Sequence, residues 1–107
     1  GVSIAQVVPS PVSTLPAVQE CATALRAAGV TEPMNSTQLE ACFGAKILTE
    51  GLRRAQKPVT AQSLQKSLST LGTYDLGGFK VSFGPDAHHG SKFVELALVT
   101  RSGGLQR

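Results

Sequence analysis

The spacing of apolar positions changes along the chain, and each change marks an element. Residues 2–8, Val-Ser-Ile-Ala-Gln-Val-Val, are uncharged and rich in β-branched side chains, the pattern of a strand buried on both faces. Pro9-Ser10-Pro11 ends it, because proline donates nothing to a ladder and holds its predecessor extended. Over residues 15–28 the period becomes helical, with Val18, Cys21, Leu25 and Ala28 on one face. Ser13 or Thr14 supplies the cap there, Pro16 fits the first turn and Gly29 marks the stop. A loop over residues 30–36 leads to a second helix over residues 37–56. Thr37-Gln38-Leu39-Glu40 reads as its capping box, and Arg53, Arg54 and Lys57 stand where the helix dipole favours cations. Ala41, Gly44, Ala45, Leu48 and Leu52 give this helix a small-residue face suited to close approach, and Phe43 and Ile47 add a second apolar ridge. A third helix, capped by Thr60 and ending near Leu71, has one stripe of Ala61, Leu64, Leu68 and Leu71.

Beyond it the period falls to two. Phe79, Val81 and Phe83 alternate with Lys80 and Ser82, as in a half-buried strand. A turn-rich loop over residues 84–91 precedes an apolar strand over residues 93–100, and Ser102-Gly103-Gly104 reads as a fraying tail. The expected fold is α/β: a strand, three helices, then a hairpin of the last two strands. The first strand has no sequence-adjacent partner, and the helices carry more apolar surface than three strands can cover. Open edges and bare apolar faces are liabilities in a free monomer, so the pattern predicts one part of a larger fold.

With 107 residues the chain has room for one small domain. Charged residues make up 16%, below the roughly 25% of ordinary soluble chains, which excludes a charged disordered tail. Ten Lys and Arg against seven Asp and Glu leave +3, spread thinly and without Trp, which argues against nucleic acid as a partner. The uncharged opening is broken by Pro9, Pro11 and Pro16 and does not read as a membrane span. Cys21 and Cys42 lack metal-ligand spacing; they allow one bridge or two buried thiols. His88-His89 reads as a turn, since adjacent residues point apart and no ligand lies at helical spacing. Gly77-Gly78 lacks a phosphate-loop pattern and precedes a strand. Glu40 and Glu50 face different sides of one helix and make no acid–base pair. No catalytic constellation, cofactor motif or metal set emerges, so the expectation is a non-enzyme.

Four segments in order resemble a known family. They are Gln6-Val-Val-Pro-Ser-Pro11, Leu39-Glu-Ala-Cys-Phe-Gly-Ala-Lys-Ile-Leu-Thr-Glu-Gly-Leu-Arg-Arg-Ala55, Tyr74-Asp-Leu-Gly-Gly-Phe-Lys-Val-Ser-Phe83, and the run from His88 to Val99. Together they resemble the closing third of type 1 periplasmic substrate-binding proteins, the leucine-binding-protein-like components of branched-chain amino acid ABC importers. The resemblance implies two α/β lobes joined by three hinge crossings, with ligand enclosed between them. It implies a hinge strand and turn over residues 1–12, three first-lobe helices over residues 13–72, and a hinge crossing with a terminal hairpin over residues 73–107. Pro9, Ser10, Pro11, Gly77 and Gly78 become hinge candidates, and Asn35, Ser36 and Thr37, on the loop entering the second helix, become ligand-binding candidates. Relatives often have aromatics where Cys21 and Cys42 stand. If the two helices lie side by side in an oxidising periplasm, the thiols meet, and the choice between bridge and thiols stays open.

The implied function is solute binding by lobe closure, with a branched-chain amino acid or related small polar molecule as ligand and an ABC permease as partner. The implied location is the periplasm, with a signal peptide upstream of Gly1. The missing N-terminal part of the chain would cover the open faces, and the isolated piece would self-associate. A ligand-sensing domain of the same fold in a regulatory protein is the alternative, and a small α+β interaction module is a further one.

Overall fold

In the computed structural model, which describes residues 2–106, three helices and five strands follow one another. They are β1 (Ser3–Gln6), α1 (Pro16–Ala27), α2 (Ser36–Arg54), α3 (Ala61–Ser69), β2 (Gly72–Asp75), β3 (Lys80–Phe83), β4 (Glu95–Val99) and β5 (Leu105–Gln106). The strands form two separate antiparallel sheets. One is the β2–β3 hairpin, with Gly72 opposite Phe83 and Tyr74 opposite Val81. The other has the order β1-β4-β5, with Ile4 opposite Ala97 and Val99 opposite Leu105. The chain passes between the helix-bearing part and this second sheet at residues 7–15 and 84–94, and the molecule is long, 52 × 33 × 21 Å.

The pairing corrects the expected hairpin of the last two strands. Strand β3 pairs backwards with β2, an element the sequence reading missed, because Asp75-Leu76-Gly77-Gly78 forms a tight turn between them. Strand β4 pairs with β1, so the first strand does have a partner, from the far end of the chain. Nor does residue 102 begin a frayed tail: Thr100 N–H donates to Gly104 O at 2.8 Å and the chain returns as β5.

Two helix starts also differ from expectation. The capping box of α2 is Asn35 with Gln38, not Thr37 with Glu40. The Gln38 N–H donates to Asn35 Oδ1 at 2.8 Å, and the Asn35 N–H donates to Gln38 Oε1 at 3.1 Å. Asparagine caps at least as well as threonine, and the helix begins one residue earlier. Helix α1 has Leu15 at its N-cap and no side-chain cap. Its Ala17 N–H instead donates to Gly77 O at 2.9 Å, so an orphan donor of the first turn is satisfied by the hairpin loop. Thr60 caps α3 as the sequence predicts, in a box with Ser63.

One core serves the helix-bearing part. Val8, Ala17, Val18, Cys21, Leu39, Phe43, Leu76 and Val81 are buried together. Cys21 and Cys42 are joined in a disulfide that ties α1 to α2, and the described residues contain no free cysteine. Helix α3 sits tightly on α2: a Cβ at Gly51 would lie 2.6 Å from Leu68 Cδ2, and the Ser67 hydroxyl donates to Gly51 O at 2.7 Å. Of the stripe read on α3, Leu64 and Leu68 are half-buried and Leu71 buried, while Ala61 is exposed.

Glu50, one turn from the end of α2, is 8% exposed. It accepts from Arg53 Nε at 3.0 Å and Arg54 Nε at 2.9 Å, and Arg53 Nη2 also pairs with it. The hydrogen bonds from Arg53 and then Arg54 hold its carboxyl down from 4.5 to about 2, against the opposing effect of burial. Arg54 also stands over the Tyr74 ring at 5.7 Å, joining α2 to β2.

The second sheet contributes nothing to that core. Val94, Leu96 and Leu98 are 65%, 66% and 54% exposed, and Val2, Ile4 and Val7 are exposed as well. Strand β1 is therefore not buried on both faces in this chain. The same holds for the small-residue face of α2, since Ala41, Ala45, Leu48 and Leu52 are exposed and the buried positions are Leu39, Phe43, Glu50 and Gly51.

The bridge closes a loop with a sequence separation of 21, which contributes about 3 kcal/mol by the chain-entropy argument. The denatured, unreduced protein is expected to show no free thiol, and Cys21→Ala with Cys42→Ala to lower urea stability by about 2–4 kcal/mol. Two free thiols contradict the bridge. Because folding depresses the Glu50 pKa, its contribution is complete above pH 4.5 and is lost as pH falls toward about 2. Glu50→Gln should lower Tm at pH 7, and its Tm deficit should shrink across that acid window; a constant deficit contradicts the assignment.

Candidate ligand-cleft wall and hinge region

The three ligand-binding candidates lie at the start of α2. Asn35 is exposed with its side-chain oxygen committed to the cap, Ser36 is half-buried, and Thr37 is exposed. The capping that orders this end also fixes where Ser36 and Thr37 stand.

The hinge candidates fall in two different settings. Pro9, Ser10 and Pro11 lie in the first passage between the two parts. Pro9 is buried, and Ser10 O accepts the Ser13 N–H at 2.9 Å, which turns the chain toward α1. Gly77 and Gly78 lie in the loop of the β2–β3 hairpin, inside the helix-bearing part, and not in a passage between the sheets. The second passage is residues 84–94.

That hairpin loop is tightly held. Asp75 Oδ1 accepts the N–H groups of Gly77 at 2.9 Å and Gly78 at 2.8 Å, which lowers its pKa. Gly77 has φ +119°, and a Cβ there would lie 2.8 Å from the Ala17 backbone nitrogen, so only glycine fits against the start of α1. Lys46 completes the lock from α2, donating to Glu20 at 2.8 Å and to Leu76 O at 2.9 Å. The sequence reading missed Lys46. Its signal was a charged residue set between the Phe43 and Ile47 ridge positions, where a side chain must find polar partners. Asp75 before Gly-Gly was likewise a readable turn.

Between α2 and both passages runs an apolar groove of about 450 Å³. Phe43 stacks on Phe79 at 5.3 Å, and Phe93 meets Phe79 edge-on at 5.6 Å. Val7, Ile47 and Val94 extend this lining; Asn35, Ser36 and Thr37 stand outside it. Among the described residues no three His, Cys, Asp or Glu side chains group as a metal site, and no helix is long and apolar enough to cross a membrane.

No protein-family model matches the chain, and no curated protein matches it. Solved structures do. A protein described as a possible leucine/isoleucine/valine-binding protein, from Rhodopirellula baltica SH 1, matches 100% of this chain with a TM-score of 0.91 at 28% identity. An extracellular ligand-binding receptor from Verminephrobacter eiseniae ef01-2 matches 100% with a TM-score of 0.83 at 31% identity. A substrate-binding periplasmic protein from Ralstonia solanacearum matches 96% with a TM-score of 0.80 at 34% identity. The chain has the fold of part of a type 1 periplasmic substrate-binding protein. It spans 30%, 31% and 30% of the length of those three relatives. The chain thus consists of a helix-bearing part with its own core, a small second sheet, and two passages between them.

Proposed function

We propose that this chain is the closing section of a solute-binding protein of an ABC importer, one that takes a branched-chain amino acid or a related small polar molecule. The observation that carries the reading is the match of the whole chain, at a TM-score of 0.91, to about a third of a protein described as a possible leucine/isoleucine/valine-binding protein. The two-part architecture supports closure as the mechanism. A ligand touching both parts stabilises the closed arrangement by its differential contacts, with Pro9, Ser10 and Pro11 in one of the passages that must bend. Residues 84–94 form the other, while the pinned Gly77–Gly78 loop moves with the helices.

In this reading Asn35, Ser36 and Thr37 border the ligand on the first-lobe side. The remaining part of the protein covers the exposed faces of β1, β4 and α2, and it carries the signal peptide and most ligand contacts. The protein works in the periplasm beside its permease. Without that remainder, the free β1 edge and the bare leucines of β4 drive self-association. Sensing by the same fold is the second reading, favoured by the receptor description of the Verminephrobacter neighbour.

The complete secreted protein, screened by thermal shift against the amino acids, is expected to gain Tm with at least one aliphatic member, and Thr37→Val to reduce that gain. The 107-residue chain alone should give no heat with leucine, since it offers one wall of the cleft. Micromolar binding by that chain, or no response of the complete protein to any amino acid, contradicts the proposal.

A further inference from the structure

The two faces of the β2–β3 hairpin differ in chemistry. Val81 and the half-buried Tyr74, Phe79 and Phe83 turn toward the core, whereas Thr73, Asp75, Lys80 and Ser82 are all exposed. The polar face is built for water, unlike the apolar faces of β1, β4 and α2. Against it lies the second passage, stapled by the Ser82 N–H donating to Gly90 O at 2.8 Å. A Cβ at Gly90 would lie 2.4 Å from the Phe83 ring, so the passage is seated closely on β3.

Between strand and passage is a concavity of about 370 Å³ whose lining includes Lys80, Ser82, His89, Ser91 and Lys92 beside Ala87 and Gly90. Two lysines, a histidine and two serines belong to that lining, with the Ser82 hydroxyl hydrogen-bonded to Thr73 Oγ1 at 2.9 Å, and among the described residues no carboxylate belongs to it. Among the described residues neither Lys80 nor Lys92 forms an ion pair. Asp75, opposite Lys80 in the ladder, accepts the Gly77 and Gly78 N–H groups through one carboxylate oxygen and feels the Lys80 charge as well. Glu40 lines the adjoining apolar groove and not this concavity. Ser91 Oγ accepts the Phe93 N–H at 3.0 Å, which leaves its O–H free to donate outward.

We propose that this concavity binds a polyatomic oxyanion of the phosphate or sulfate class, with Lys80 and Lys92 as its cationic partners and the Ser91 hydroxyl as a further donor. Lysine ammonium groups and the outward Ser91 hydroxyl match an ion that is an acceptor on every side, and charge-assisted hydrogen bonds are the stronger kind. The site lies on the solvent face of the hairpin and shares His89, Gly90, Ser91 and Lys92 with the apolar groove beside α2.

The test is a titration of the isotopically labelled 107-residue chain with inorganic phosphate, at constant ionic strength set by chloride, followed by amide chemical shifts. Saturable shifts are expected at Lys80, Ser82, Gly90, Ser91 and Lys92, with Lys80→Ala and Lys92→Ala each weakening binding about tenfold while the rest of the spectrum stays unchanged. Shifts that do not saturate, that persist in the double variant, or that chloride alone reproduces overturn the site. Sedimentation with phosphatidylglycerol vesicles identifies the source. Co-sedimentation lost in the double variant assigns a lipid headgroup phosphate, and its absence alongside saturable phosphate shifts assigns the free ion.

Discussion

The crossing of α1 over α2 at Cys21 and Cys42 is the contact on which the rest of the helix-bearing part depends. Val18 and Cys21 from one helix and Leu39 and Phe43 from the other form an apolar floor, and the bridge holds the two helices in register over it. The hairpin then docks by three linked contacts. Leu76 and Val81 enter the floor, Gly77 O accepts from the first turn of α1, and Lys46 reaches from α2 to Leu76 O. The two hydrogen bonds each satisfy a group that burial would otherwise leave unpaired. Helix α3 is added on the far side, where Gly51 lets Leu68 approach closely.

The second sheet has no such support. It is held by ladder hydrogen bonds and by cross-strand neighbours such as Ile4 and Ala97, while the leucines of β4 face outward. A three-stranded sheet of this length with a bare apolar face is marginal in water. That imbalance agrees with the proposed reading of the chain as one section of a two-lobed protein. In that proposal closure has a physical basis, because the two passages join parts that share little packing.

The helices were legible in the sequence because their signals are local: apolar period, proline and glycine boundaries, and Thr60 as a cap. Strand pairing was less so. Strand β1 meets β4 across nearly the whole chain, and no local pattern encodes that distance. Strand β2 escaped notice because Gly72-Thr73-Tyr74-Asp75 is short and mostly exposed, with little alternation to read. The capping box was misplaced by two residues because Asn35 and Thr37 both offer an acceptor three positions before a Glu or Gln, and the backbone chose the former. The apolar face of α2 was misread for a different reason. Ala41, Ala45, Leu48 and Leu52 form a true stripe, yet nothing within this chain covers it. At the candidate site, the turn at Gly77–Gly78 was readable, but its seat inside one part required the pairing of β2 with β3.

Native-state hydrogen exchange on the 107-residue chain tests the central claim most directly, namely that one core supports the helices and hairpin while the second sheet waits for cover. The account predicts the slowest exchange at amides of α1, α2 and β3, near the global unfolding limit, and much faster exchange in β1 and β4. Equal protection of Ile4, Ala97 and the α2 amides in a monomeric sample would contradict it.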